Sequence, residues 1–533
     1  MKHFCKGLFI GVAMGVLALG SPAARAETPE NQLVIATSLA QVLSLDPQQA
    51  TEPKAIEIMA NLYDRLVATD PSGADKLVPQ LAESWAVDDK GVTFKLRDAK
   101  FASGNPVTAN DVVYSLTRLL KLDQAAAANF KRIGYTGDNI EKLVRAEDDK
   151  TVRIDLSGKV TADLLLFRLA MVVASVVDSV EVQGHVVDND FGNGWLRTKS
   201  AGSGPFTLNR WTPNELVILE ANPDYATGAP KMRRVIMRHV PESQVERLML
   251  DRGDVDLANA LTAPDIATFK DKKGFEIQRI PTGGFYVLSM NAGNKYLSNP
   301  KVREAIAYGI DYKGMETAIM GPYGKARTVP VPETFEYAIP SPDWQLNVDK
   351  AKWLLAEAGY KDGFSLNLKT IAQTPRIDLA TAIQATLGQI GITVNIQQGN
   401  GAEIIAAHRA RDFDLLIPQT GAYMPNVLGS MEQFSSNPDN SLEANNAGNF
   451  VWRSAWDIPE LTDLTAKASM ERDPKKRGEL YVEMQKMFVD QKPAVLPLFE
   501  RFEPIVLSTR VKGYVGHPSQ ATRLEGVTKA AAE

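Results

Sequence analysis

The sequence is nearly without cysteine: Cys5 is the only one in 533 residues. A single thiol close to the start forms no internal disulfide, provides no cysteine cluster for a metal, and leaves the rest of the chain without a thiolate nucleophile. Histidine is also sparse. The five are scattered and no H-E-x-x-H occurs, so a transition-metal site built from imidazoles is not expected and no cofactor is implied. A nickel chelate held by its own organic ligands stays open. Excess positive charge is missing as well: 59 Lys and Arg against 64 Asp and Glu leave −5, which gives no footprint for nucleic acid. Long apolar runs are absent from the body of the chain. The stretch LLLFRLAMVVASVV from Leu164 contains Arg168 and lies between Asp163 and Asp178. It reads as a buried core helix, not a membrane span. No fixed-period repeat or low-complexity tract stands out.

What is present starts at the N-terminus. Lys2 and Lys6 form a positive region, Gly7 to Gly20 a short apolar one, and Ala24-Arg25-Ala26 the small-x-small pattern of a cleavage site. Residues 1–26 therefore read as a secretory signal peptide, with the mature chain beginning near Glu27 and residing in the periplasm. Cys5 stands upstream of the apolar run, where a lipobox cysteine does not stand, so the protein is not expected to be a lipoprotein. With 44% hydrophobic and 23% charged residues, the chain can bury a large core and divides into more than one lobe.

LVIATS from Leu33 reads as a buried strand, and KAIEIMANLYDRLVATD carries apolar residues at helical spacing. Val92, Phe94 and Leu96 alternate with polar neighbours in a strand after the Asp89-Lys90-Gly91 turn. Thr108 is placed to cap the helix DVVYSLTRLL, with Asp111 closing the box. From Gly283 the pattern restarts. The strand GGFYVLSMN leads to the helix PKVREAIAYGID with Pro300 in its first turn, then VDKAKWLLAEAGY as a helix ending at Gly359. FSLNLKTI, IDLATAIQATLGQIG, ITVNIQQ and FDLLIPQ alternate as strand, helix, strand, strand, with a further helix before the last. Such alternation implies an α/β architecture with a mainly parallel sheet. KKRGELYVEMQKMFVDQ is a late amphipathic helix and AVLPLFERFEPIVL a final extended run.

Two stretches invite enzymatic readings. KSAGSGPFTLNRW, Lys199 to Trp211, is glycine-rich, yet Pro205 removes an amide donor and Phe206-Thr-Leu continues as a strand, so a turn is expected, not a phosphate loop. Ser298 and Lys301 match S-x-x-K. The companion S-D-N and K-T-G motifs are absent, and Ser298 has a plainer role as helix cap before Pro300. An exported serine hydrolase using Ser298 and Lys301 is the reading of a different class; the expectation is that the protein is not an enzyme.

LAESWAVDDKGVTFKLRDAKFASGNPVTANDVVYSL, followed in order by GSGPFTL, LMLDRGDVDLA, VLSMNAGNKYLSNPKVREAIAYGID and PAVLPLF, resembles the extracellular solute-binding proteins of family 5. These are the dipeptide-, oligopeptide- and nickel-binding components of ABC importers, and the likeness spans nearly the whole mature chain. It implies the two-lobed periplasmic binding protein fold, of the large cluster C type, with a ligand cleft between lobes and a two-strand hinge. Mapped here, residues 27–280 plus 493–533 form lobe I, with an extra subdomain at about 65–190, and 281–492 form lobe II. The implied function is hinge closure around a peptide or peptide-like solute and delivery to an inner-membrane ABC permease with its ATPase subunits, the carrier acting as a monomer. In peptide-binding relatives the strand equivalent to FDLLIPQ leads into a Gly-Trp-x-Gly-Asp type turn whose Asp holds the peptide ammonium. Here Gln419, Thr420, Gly421, Ala422 and Tyr423 occupy that turn, with Gln419 at the Trp position and Ala422 at the Asp position. Either another carboxylate, such as Glu432 or Asp439, replaces it, or the ligand presents no free amine, as in an opine-type conjugate. Arg376 matches a position where relatives offer an arginine for a ligand carboxylate. Tyr423, Asn449, Trp452 and Trp456 complete the expected cleft lining, with packing inside the lobe as the alternative for the aromatics. Asn291 and the histidines at 185, 239, 408 and 517 have structural roles as their simplest reading.

Overall fold

The computed structural model describes residues 28–50, 52–71, 73–421, 426–444, 446 and 448–531, with residues 73–75 described by backbone alone. The expected signal peptide at 1–26, together with Cys5, lies outside these residues. An eleven-stranded sheet runs through the molecule. On one side it carries Ile392–Gly399, Phe364–Ile371 and Leu415–Leu416. On the other lie Leu257–Ala258, Gln32–Thr37, Arg234–His239, Leu216–Ala221 and Phe206–Thr212. Two long strands, Phe275–Met290 and Val495–Ser508, sit between and pair antiparallel with each other, and the short strand Gly324–Ala326 pairs with the second of them.

These two strands belong to both sides. Ile280, Ile505 and Leu507 pack with Leu33 and Phe206 in one core, whereas Leu288, Met290, Leu496 and Leu498 pack with Leu366 and Leu387 in another. Their register shifts between Pro281 and Phe285. Such a shift inserts extra chain, bends the strand and raises its twist.

A separate four-stranded antiparallel sheet is made by Ala82–Val87, Gly91–Leu96, Thr151–Asp155 and Val144–Asp148. The helix Ala109–Leu122 covers it, its start held by the Asp111 carboxylate, which accepts from Thr108 N at 2.8 Å. The apolar cluster that begins here continues through Val331 and Phe335 into the helices Val427–Ser435, Pro459–Met470 and Pro474–Asp490.

Several expectations need correction. The main sheet is mixed, not mainly parallel: the parallel pairs lie toward its two sides, and the two long strands at its middle are antiparallel. The helix expected through 54–70 spans only Pro53–Leu62, because Val67–Asp70 pairs with Gly73–Pro79 as a hairpin. The strand expected at FDLLIPQ is regular only at Leu415–Leu416, with a single further bridge from Gln419. Asn299, not Ser298, caps the helix Pro300–Tyr308, its side chain accepting from Lys301 N at 2.9 Å.

The glycine-rich turn is structural. A Cβ on Gly202 would stand 2.0 Å from the Leu62 carbonyl oxygen, and one on Gly204 would stand 2.5 Å from the Leu62 carbonyl carbon. Gly204 N instead donates to Leu62 O at 3.0 Å, so the turn lies against the end of the first helix. Residues near both ends of the described chain are also joined. Lys529 Nζ lies 3.1 Å from both Asp256 carboxylate oxygens and donates to Gln32 O at 2.6 Å and Thr28 Oγ1 at 2.7 Å.

Candidate functional site

The register shift between the long strands brings together several side chains expected from the sequence and two that were not. Gly284 permits the approach: a Cβ there would meet Thr420 O at 2.1 Å. Phe285 N donates to Thr420 Oγ1 at 2.9 Å, and Thr420 N donates to Phe285 O at 2.8 Å. Gln419 bridges to Tyr286. Arg501, from the second long strand, donates through Nη1 to Thr420 O at 2.8 Å and sets its guanidinium carbon 5.5 Å from the Tyr286 ring centre. Its Nε is buried with no hydrogen-bond partner among the described residues.

Arg376 opens the helix Arg376–Gln389 and donates to Gln373 Oε1 at 3.1 Å. Burial holds its pKa below the usual arginine range; Tyr286 opposes this and Arg501 adds to it. Tyr286, Arg376 and Arg501 thus act on one another electrostatically. Two guanidiniums that repel each other, one with no partner for its Nε among the described residues, concentrate positive charge at this point. Tyr286 and Arg501 lie in runs that read only as strand, and nothing local in the sequence marks which face they take.

The other expected site residues are placed differently. Ala422 and Tyr423 lie outside the described residues. Gly421 follows Thr420, its carbonyl 3.5 Å from Gln433 Nε2. Asn449 caps the short helix Phe450–Arg453, accepting from Val451 N at 2.9 Å, and its amide donates to the Ser436 carbonyl. Trp452, 2% exposed, donates to Ser441 O at 2.8 Å beneath the Arg411 guanidinium. Trp456, 5% exposed, packs edge-on against Phe488. These three side chains are engaged in packing and capping, and the structure does not bring them to the Arg376–Arg501 group. Glu432 faces Arg168 at 3.5 Å, and Asp439 accepts from Ser441 N at 2.8 Å.

Ser298 and Lys301 do not form a catalytic pair. Ser298 Oγ donates to Lys295 O at 3.2 Å, and Lys301 pairs with Glu357 at 3.4 Å. His185 stacks on Trp195, His239 accepts from Leu39 N at 2.9 Å, and His408 and His517 are buried. Asn291 donates to Arg411 O and Phe413 O, tying a loop to the sheet. Among the described residues, no group of three or more potential metal ligands occurs, and no helix is long and apolar enough to cross a membrane.

The sequence profile of the bacterial extracellular solute-binding proteins, family 5 (middle), matches residues 76–441. The chain belongs to this family. Among its relatives, the probable D,D-dipeptide-binding periplasmic protein DdpA of Escherichia coli (strain K12) is 29% identical over 514 residues, 94% of this chain and 95% of that protein. The periplasmic binding protein DppA of Helicobacter pylori, solved with the peptide STSA, superposes with a TM-score of 0.76 at 24% identity, covering 94% of this chain and 98% of that one. AgaA of A. tumefacien R10, solved with agropinic acid, gives 0.73 at 22% identity, covering 94% and 99%. The fold of this family 5 protein is therefore the two-lobed α/β fold of large, cluster C periplasmic binding proteins.

Proposed function

We propose that this protein captures a carboxylate-bearing peptide or peptide-like solute in the periplasm, between two lobes, and hands it unaltered to an inner-membrane ABC permease. The observation that carries the reading is the Arg376–Tyr286–Arg501 group, with Arg501 Nε buried and without a partner among the described residues. A ligand carboxylate there neutralises two mutually repelling cations. The lobes meet at the two long strands: the chain changes lobe at the shift between Pro281 and Phe285 and again near Arg501, where Val495–Ser508 passes from one core to the other. Ligand contacts made by both lobes favour the closed form that a permease recognises. The carrier acts as a monomer, reaches the periplasm by its cleaved signal peptide, and turns over no substrate.

A second reading concerns the ligand's other end. Ala422 stands where peptide-binding relatives place an ammonium-holding Asp, Glu432 faces Arg168, and Asp439 accepts from its own turn. This favours a solute without a free amine at that end, such as an opine-type conjugate.

The test is calorimetric titration with a dipeptide, its C-terminal amide and its N-acetyl form. A hydrogen bond to a charged group contributes about 1.5–3 kcal/mol, so loss of the carboxylate should weaken binding roughly tenfold to over a hundredfold. An amide that binds as tightly as the acid overturns the carboxylate reading. N-acetylation that leaves affinity unchanged favours the amine-blocked solute.

A further inference from the structure

Tyr323 joins the two halves of the molecule beside the group around Tyr286. Its ring packs on the core that holds Leu288, Leu366 and Leu387. Its hydroxyl donates to Leu261 O at 3.2 Å, and Leu261 is buried with Val34, Ala36 and Val506 in a core on the other side of the long strands. A backbone hydrogen bond from Ala263 reaches the same phenol oxygen. One hydroxyl therefore gives to and takes from a single loop of the opposite lobe.

Both ends of this contact are anchored. On the loop side, Asn259 N and Ala260 N donate to the Glu246 carboxylate at 3.2 and 2.9 Å, and Thr262 N donates to Ser243 Oγ at 2.8 Å. Glu246 is fully buried, so its helix, Ser243–Arg252, fixes the loop. On the other side, Tyr323 stands just before the short strand Gly324–Ala326, and its carbonyl accepts from Phe502 N at 2.8 Å. Phe502 follows Arg501 in the long strand. Burial first and Tyr286 second push the phenol's pKa up to about 12, so it keeps its proton and donates at neutral pH.

The topology puts the contact where closure acts. Leu257–Ala258 runs parallel to Gln32–Thr37, and Leu261 lies just past its carboxyl end. Phe364–Ile371 runs parallel to Leu415–Leu416. Arg376 lies past the carboxyl end of the first of these and Thr420 past that of the second. In α/β sheets, ligands lie outside the carboxyl ends of the parallel strands. The two lobes thus present their ligand sides to one junction, and Tyr323 spans it. Rotation about the long strands carries Tyr323 with one core and Leu261 with the other, so opening parts the hydroxyl from the loop.

We infer that Tyr323 is a latch across the cleft: its bond to Leu261 O forms on closure, and it is a positioning residue that slows the release of cargo without touching it. This rests on the two-lobed carrier reading above and names a side chain through which that carrier stays shut.

The test compares Tyr323→Phe, which removes only the hydroxyl, with Tyr135→Phe. Tyr135 donates to Asp155 O at 2.8 Å beside the four-stranded sheet, so that variant makes the same chemical change without crossing the cleft. Spin labels at Lys270→Cys and Lys352→Cys, exposed positions on opposite lobes, read the distance between lobes in the full chain carrying Cys5→Ser. The distances are taken first without cargo and then with L-alanyl-L-alanine. Tyr323→Phe should shift the closed-to-open ratio toward open by about two- to tenfold, the range for one hydrogen bond. It should release the dipeptide faster by the same factor, with the association rate unchanged. Tyr135→Phe should match wild type in both. The latch is overturned if Tyr323→Phe leaves distances and release rate at wild-type values, or if Tyr135→Phe changes them equally. A dipeptide that fails to bind counts against the cargo reading alone; unchanged cargo-free distances then overturn the latch, and shifted ones support it.

Discussion

Arg477 donates through Nη2 to Asp163 at 2.7 Å, joining the helix Pro474–Asp490 to the helix Ala162–Leu169 across 314 residues of chain. Arg168, on the same short helix, faces Glu432 at 3.5 Å, and Arg472 reaches Asp89 at 3.2 Å. All three pairs cross between the segment 65–190 and the helices after residue 427. If closure around cargo forms them, each adds to affinity. Partly exposed pairs contribute about 0.2–1 kcal/mol, so Arg477→Ala should weaken ligand binding by up to about fivefold, and less at high salt. Titration of variant and wild type at two ionic strengths checks this. Equal affinities at both would mean that the contact is a fixed interface.

Gly284 should tolerate no side chain. A methyl there would meet the Thr420 carbonyl oxygen at 2.1 Å, a backbone atom that cannot rotate away. Gly284→Ala must separate Phe285 from Thr420 and is expected to cost about 1–3 kcal/mol, by analogy with other overpacked sites. Gly421→Ala is the control, since its Cβ meets nothing within 4 Å among the described residues. Thermal melting should show a drop for the first variant and none for the second.

His517 should make the fold acid-sensitive. Burial is the main cause that pushes its pKa down to about 4. Ser519 N donates to Nδ1 at 3.1 Å, and Nε2 lies 3.1 Å from Thr69 O, an arrangement that suits the neutral ring. In the unfolded chain histidine protonates near pH 6.5. Between these values the unfolded state binds the extra proton, so the stabilisation is full above about pH 6.5 and is lost as pH falls toward 4. The loss approaches about 3 kcal/mol, at roughly 1.4 kcal/mol per pH unit. Urea midpoints at pH 7.5 and 4.5 should fall further for wild type than for His517→Gln. Identical falls would assign the acid sensitivity to other groups.

Ser298→Ala should leave cargo binding unchanged. The hydroxyl is committed to Lys295 O and the Lys301 ammonium to Glu357, so no base activates the serine. Incubation of wild-type protein with amide and ester substrates should return them intact. Turnover that disappears in the variant would restore the hydrolase reading.

Local pattern made much of the fold readable. Val92, Phe94 and Leu96 alternate because one face of their strand is buried, and Thr108 with Asp111 announces a helix start whose carboxylate bond is present. The restart near Gly283 also reflects a physical feature, the shift between the long strands. The hairpin at Val67–Asp70 was hidden because a short apolar run fits helix and strand equally well until its partner is known. The proposed binding group is legible in part. Arg376 could be proposed by likeness to relatives, but Tyr286 and Arg501 could not, since the face each presents depends on pairing between residues far apart in the chain. Trp452 and Trp456 could be read from sequence as cleft lining or as lobe packing, for a related reason. A tryptophan has the same sequence signature whether it lines a cavity or, as here, fills a core.

The clasp between Lys529 and Asp256 sets the order in which the molecule can be completed. Thr28 and Gln32, near the start of the described chain, share the same ammonium, and Leu257–Ala258 pairs with the C-terminal half of Val495–Ser508. The first-made half therefore lacks its neighbouring strand and its counter-ion until the last few dozen residues arrive. A chain cut short before Val495 leaves Leu257–Ala258 with one edge unpaired and the Asp256 carboxylate without the Lys529 ammonium.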